Sequence, residues 1–320
     1  MKKTRTVGVI QSAAAIALAA AACLPNVALA YEFGYPGASL PAGVDIQNVA
    51  ATPPPGLYGF SEVYTGQTNE AGPGAPKVNG QPTGVHVAGF AAGLVYSAKW
   101  TLFGAQYSAR FVQPFSMVDA GAPLNAQKSG VRNTYISPLE LSWKLGNTGF
   151  FVKAALGATV PDGTISGPAG ENSIGTPWWI IQPALALSYL KNGWNFTATT
   201  MTEFNTPNWD THYRTGDILH ANFVATKTIG RWTAGPIATY VGQVSDDSSS
   251  AYYHNAINTE RYNVFSMGAE LGYDFGPAVV NLWFTKDLVA NASGGTPKAG
   301  IDSASIVKGY KVFVSLAFPL

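Results

Sequence analysis

The 320-residue chain has one cysteine, Cys23, few charges and no long apolar run beyond its first thirty residues. Each scarcity excludes something. With Cys23 inside an export signal, the remaining chain has no thiol for a disulfide, a thiolate nucleophile or a thiolate metal site. Charged residues make up 12%, about half the usual share in globular proteins. No basic stripe is present, which argues against nucleic acid. No later segment reaches the roughly 18 apolar residues of a membrane-spanning helix, so a membrane role would require strands closed into a barrel. Also missing are a G-x-S-x-G turn, an H-E-x-x-H pair and a phosphate-binding glycine loop. The four histidines, His86, His212, His220 and His254, show no metal-ligand spacing. No cofactor and no metal are expected.

Met1–Ala30 has the form of a cleaved secretory signal: Lys2, Lys3 and Arg5, then a small-residue apolar stretch, then Ala28-Leu29-Ala30. An N-terminal anchor and lipidation at Cys23 are the alternatives; Ala20-Ala21-Ala22 is a poor context for the latter. The whole chain has 19 Lys and Arg against 18 Asp and Glu; without Lys2, Lys3 and Arg5 it is 16 against 18.

What is abundant is glycine and aromatic: Gly 35, Tyr 15, Phe 16 and Trp 8, a balance typical of β proteins. Trp194–Phe204 alternates Trp194, Phe196, Ala198 and Phe204 with Asn195, Thr197, Thr199 and Glu203, a strand with one apolar and one polar face. Similar segments recur from Leu57–Thr65 to Ala304–Leu320. Short connections (Lys99, Leu145–Thr148, Lys191–Gly193, Gly230–Arg231, Gly276–Pro277) take turns with long ones (Gly66–Thr83, Pro114–Gly130, Pro161–Thr176, Thr206–Asp217, Asp246–Glu260, Val289–Ser303). The pattern predicts an all-β, transmembrane, antiparallel up-and-down β-barrel of about twelve strands over residues 56–320, with both ends on the short-turn, periplasmic side. Tyr31–Pro55, rich in Gly, Pro and Ala, shows no strand pattern; a periplasmic lead-in and a plug in the barrel mouth both remain open.

The polar faces place Arg110, Glu140, Lys144, Lys153, Gln182, Glu203, His220, Asn222, Gln243, Glu270 and Asp274 toward the lumen. They either brace the interior as ion pairs or tune which solutes pass. Asp210, Arg214 and Asp217 form a loop latch or a gate. Asp246 and Asp247 read as a solvated loop end. Trp143, Trp194 and Trp232, beside short turns, form an aromatic girdle; Trp100 also lies beside a turn but has the opposite parity.

The stretch FNTPNWDTHYRTGDILHANF, followed by GRWTAGPIATYVGQVSDDS, resembles the signature of the outer-membrane "MetA-pathway of phenol degradation" or SphA-like proteins: aromatic-Asn, then D-T-x-Y-x-(S/T)-G-D-x-x-H, then a strand opening on Trp and ending Q-V-(S/T)-D-D. Pro53–Tyr58 and the closing Ser315–Leu320 agree with it. The resemblance implies a Gram-negative outer-membrane channel for passive uptake of small organic, aromatic or hydrophobic compounds. The partners expected are outer-membrane lipid and lipopolysaccharide, the solute, and the barrel assembly machinery. The alternatives are a structural or partner-binding barrel without transport, and a membrane lipid hydrolase. The latter needs Ser, His and a polar orienting group on the lipid-facing surface, whereas His220 falls on the polar face. No enzyme activity is expected.

Overall fold

A computed structural model describes residues 32, 34–73, 75, 77–166, 173–255, 259–294 and 306–320. The signal-like Met1–Ala30 lies outside the described residues. Fifteen strands follow in order: β1 (Gly56–Ala71), β2 (Lys77–Val78), β3 (Gln81–Pro82), β4 (Gly84–Leu102), β5 (Ala105–Ala120), β6 (Ala126–Val131), β7 (Tyr135–Lys144), β8 (Phe150–Thr159), β9 (Ile180–Lys191), β10 (Trp194–Asn205), β11 (Ile218–Ile229), β12 (Trp232–Gln243), β13 (Thr259–Asp274), β14 (Val279–Gly294) and β15 (Ile306–Pro319). Three are short additions: β2 pairs only with β3, and β6 extends β5. The other twelve pair antiparallel around a closed ring, β15 returning to β1 with Val63 opposite Val314. Closure gives every strand two neighbours, as lipid demands of exposed peptide groups.

Alternation decides which side chains meet lipid. Leu185 and Leu187 on β9, Phe223 on β11, Leu282 and Phe284 on β14 and Val314 on β15 are exposed outside. Their strand neighbours Ala186, Ser188, Asn222, Trp283 and Phe313 are buried inside. Leu185, 61% exposed, sits mid-strand. Leu185→Arg is expected to destabilise the folded barrel by ~2–4 kcal/mol, the cost of an arginine near the bilayer midplane; urea unfolding from lipid vesicles checks it.

Several strand limits differ from the periodicity. β1 continues past Thr65 to Ala71, and β5 continues past Gln113 to Ala120 and then folds back as β6. These extensions carry polar residues on both faces, so apolar alternation fades while the hydrogen-bond ladder goes on. β7 begins at Tyr135 rather than Val131, because Arg132 N–H bonds back to the Pro114 carbonyl and leaves the ladder. On β1 the inner face holds aromatics: Phe60 lies over Gly93 and Tyr64 over Gly89 of β4, where a Cβ would collide with either ring. This explains why Glu62 shares parity with them.

Trp100 is a correction of parity. The β4–β5 register slips between Ser97 and Thr101. Ser97 and Ala98 are therefore both buried, and Trp100 turns outward at 51% exposure to stack on Tyr107 at 4.6 Å. Four steps along β4, Ser97 to Thr101, span two along β5, Ser108 to Gln106, so the pairing slips by two and Trp100 keeps the outward parity of Leu94 and Tyr96. Trp100 joins Trp143, Trp194 and Trp232 at the short-turn end. Trp143 donates to the Phe103 carbonyl (3.0 Å), Trp194 lies under the Lys227 ammonium (4.8 Å), and Trp232 meets Tyr273 edge-on.

Candidate functional site

The lumen is occupied by the chain's own beginning. From the long-loop end to the short-turn end, Glu32 and then residues 34–55 run the length of the bore before β1 starts. Glu32 sits among long-loop residues: its carboxylate accepts from Thr211 Oγ1 (2.5 Å), Tyr253 OH (2.8 Å) and Asn208 Nδ2 (2.9 Å). Tyr35 packs edge-on against buried Trp178. Ser39 donates from its N–H and hydroxyl to Glu203. Ala42 packs with Ile218, Val241 and Val264, and Ile46 with Val224, Ile237, Trp283 and Phe313. Near the short turns, Ala50 N–H donates to Ser188 and its carbonyl accepts from Ser142.

The tight middle passage needs a glycine. Gly43 has φ +95°, and a Cβ there would press on Phe313 and Thr285. Its carbonyl accepts from Trp283 Nε1 at 2.8 Å, while Trp283 stacks on Phe313 at 5.1 Å. Glycine alone adopts such a backbone without strain.

Six of the polar residues assigned to the lumen bond directly to this segment, and Glu140 and His220 stand behind them. Arg110 Nη2 and Lys153 Nζ both donate to Asn48 Oδ1, at 3.0 and 3.4 Å. Between these cations lies Glu140, 3.2 Å from Arg110 and 3.8 Å from Lys153. Gln182 donates to Ser39 Oγ, Asn222 to the Asp45 carbonyl, and Gln47 to Glu270. Glu203 accepts from Ser39 and lies 2.7 Å from His220 Nε2. The Ser39 hydroxyl thus points to the carboxylate and not to the imidazole, and all three groups are inside the barrel, not on its lipid-facing surface. Lys144 and Asp274 lie instead exposed at the short-turn rim, where Asp274 accepts from Gly276 N–H. Gln243 joins the loop structure beside Asp247.

In the long loops, Arg214 pairs with Asp217 (2.5 Å) and donates to the Asn205 carbonyl (2.9 Å). Asp210 stays exposed and Asp247 takes the interior position. Asp247 accepts from Tyr213 OH, Gly216 N–H and Gln243. The Asp246–Asp247 pair therefore divides: Asp246 holds Arg261 at the surface and Asp247 is buried. Residues that periodicity did not single out also face inward. Asp287 forms a buried ion pair with Lys311 (3.1 Å) and accepts from Ser266 (2.6 Å). Their parity with Thr285 and Ser315 was the available signal, masked by Trp283 and Phe313 on the same faces.

Burial pushes the Glu32 carboxyl up to about 7, against the opposing hydrogen bonds from Thr211, Asn208 and Tyr253. A raised carboxyl stabilises the docked state below its ordinary value and loses that contribution as pH rises through the folded value. The start of the segment is thus expected to be held more firmly at pH 5 than at pH 8.5. The difference is on the order of 3 kcal/mol at most. Hydrogen exchange of residues 34–40 at the two pH values measures it, and Glu32→Gln should flatten the dependence.

Above residues 38–42, in the long-loop half, the lumen opens into a cavity of about 540 Å³. Val85, Val87, Val118, Val241, Val264 and Ile306 form its walls. Lys128 and Arg132 reach it from β6 and from the residue after β6's end, with Glu70 and Lys311 also on the lining.

A lipid-embedded closed ring of twelve antiparallel strands with a polar, partly filled bore is the architecture of an outer-membrane β-barrel. Residues 54–304 match the family described as "Putative MetA-pathway of phenol degradation", and the chain belongs to that family. Among solved structures it is similar to the COG4313 outer membrane channel from Pseudomonas putida F1, with 13% identity, 87% of this chain and 100% of that one covered, and a TM-score of 0.69. It is also similar to the translocator domain of the autotransporter NalP from Neisseria meningitidis, with 10% identity, 83% and 88% covered, and a TM-score of 0.43. A third is the TodX monoaromatic hydrocarbon channel deltaS2 mutant, with 10% identity, 91% and 96% covered, and a TM-score of 0.45. No curated protein sequence matches the chain.

Proposed function

We propose that the protein is a channel of the Gram-negative outer membrane, exported through a cleaved Met1–Ala30 signal, that takes up small apolar or aromatic organic molecules passively. The observation that carries this is the cavity of about 540 Å³, with valine, isoleucine, leucine and alanine among its walls, inside a lipid-embedded ring. An apolar cavity of about 150 Å³ already accommodates benzene, so there is room for more than one ring. Membership of a family described by phenol degradation supports the solute class, and the channel from Pseudomonas putida shares the fold. Solute would enter at the long loops, rest in the cavity, and pass along Gln182, Glu203, Asn222, Glu140 and Glu270 once residues 38–50 move aside.

The hydrogen-bonded filling of the short-turn half favours a second reading, a barrel that braces the envelope or binds a partner through its loops. Vesicles with a lipopolysaccharide outer leaflet separate the two. Uptake of phenol or toluene faster than in protein-free vesicles supports the channel; equal rates, with no ion conductance in planar bilayers, would leave the bracing role.

A further inference from the structure

Two cations in the upper cavity have no counter-ion among the described residues. Lys128 Nζ has only a long 3.4 Å contact to the Gly34 carbonyl. Arg132 uses Nη2 for the Ala38 and Ser39 carbonyls, at 2.8 and 3.0 Å. A guanidinium has five donors and an ammonium three, so most remain available. Among the described residues neither has a carboxylate within 4.0 Å, whereas Arg110, Lys153, Arg214, Arg261 and Lys311 all do. Both are half-buried and line the apolar cavity. Glu70 lines it too, from β1, and Lys311 there is neutralised by Asp287.

Leaving two neighbouring cations unpaired against an apolar wall is costly unless an anion completes the site. Burial first, and the Arg132 charge second, pull the Lys128 ammonium down to about 8. Lys128 is thus still largely protonated at neutral pH and lacks only a partner.

We infer that this cavity binds a hydrophobic organic anion, an aromatic or alkyl body bearing one carboxylate, with its body against Val87, Val118 and Val264 and its carboxylate between Lys128 and Arg132. This rests on the uptake reading and narrows its solute class. A carboxylate accepts two parallel bonds from a guanidinium and a third from an ammonium. The apolar walls supply affinity without selecting orientation, and the paired charges fix which end faces the β6 side. Size fits as well, since small-molecule sites occupy about 300–1,000 Å³.

The test compares 4-butylbenzoate with its uncharged isostere 4-butylbenzamide, titrated into the barrel in lipid nanodiscs with protein-free nanodiscs subtracted. The acid is expected to bind at least tenfold tighter than the amide. Lys128→Gln should remove most of that preference and Lys128→Arg should keep it; both lie on a hairpin outside the barrel ring, and heat-modifiable migration verifies folding. Equal affinity for acid and amide, or an unchanged preference in Lys128→Gln, overturns the anion site while leaving a channel for neutral solutes. Absence of binding by either ligand, together with no uptake of either into vesicles, overturns both this inference and the uptake reading.

Discussion

Deletion of residues 32–50 is expected to convert a nearly closed barrel into an open pore, with single-channel conductance rising by an order of magnitude or more. The reason lies in where the segment's bonds go. It is held by β5 and β8 through Asn48, by β7 and β9 through Ala50, by β10 through Ser39, by β11 through Asp45, and by β13 and β14 through Gln47 and Gly43. A strip of chain tied to eight of the twelve ring strands leaves little free bore. The ladder that closes the ring involves none of these bonds, so the truncated barrel should still fold and migrate as a compact species. Planar-bilayer recordings decide the matter. Conductance unchanged from the full chain would mean that ions already pass beside the segment.

Glu140→Gln is the substitution with the greatest expected cost to stability, ~3–5 kcal/mol, the range found when one partner of a buried ion pair is removed. Glu140 lies between Arg110 and Lys153 and also accepts from Ser108 Oγ at 3.2 Å. Glutamine keeps the shape and some hydrogen bonding but leaves two buried cations sharing the single Asn48 oxygen. Their mutual repulsion then faces no counter-charge in a medium of low dielectric constant. Urea unfolding followed by tryptophan fluorescence should show the loss, and adding Lys153→Met should recover part of it. A loss below about 1 kcal/mol would place this trio in the class of solvated pairs.

The ring was legible because lipid imposes a simple rule on one face of every strand. Leu185, Leu187, Phe223 and Leu282 obey it, and their alternation with Ala186, Ser188, Asn222 and Trp283 sets both orientation and register. The rule weakens wherever lipid ends. Past Gln113, β5 and β6 pair through a mixture of polar and apolar residues, so Lys128 was hidden in what read as the loop Pro114–Gly130 and Arg132 in what read as the start of the next strand. Inside the bore, the rule fails differently. Trp283 and Phe313 face inward because the segment supplies an apolar surface for them, and nothing in their own strands signals that. Beside the side chains of Glu32, Ser39, Gln47 and Asn48, the segment docks through peptide carbonyls, those of Ala38, Gly43, Asp45 and Ala50. Backbone acceptors are the same in every residue, so their use leaves no trace in residue type. Gly43 is the exception, since its backbone and the Phe313 ring both require it. The Asp246–Asp247 pair shows a further limit. Two identical neighbours take opposite environments because Tyr213, Gln243 and Gly216 happen to surround the second.

The course of residues 34–55 through the ring constrains the order of biogenesis. A hoop of twelve strands cannot be sealed first and threaded easily afterwards, since Ile46, Trp283 and Phe313 interlock at its waist. The simplest route is that the strand sheet curls around this strip while the edge between β1 and β15 is still apart, and the final zipping of that edge traps it. The strip then acts as an internal mandrel. Its side chains help set the curvature on which the last hydrogen bonds lock.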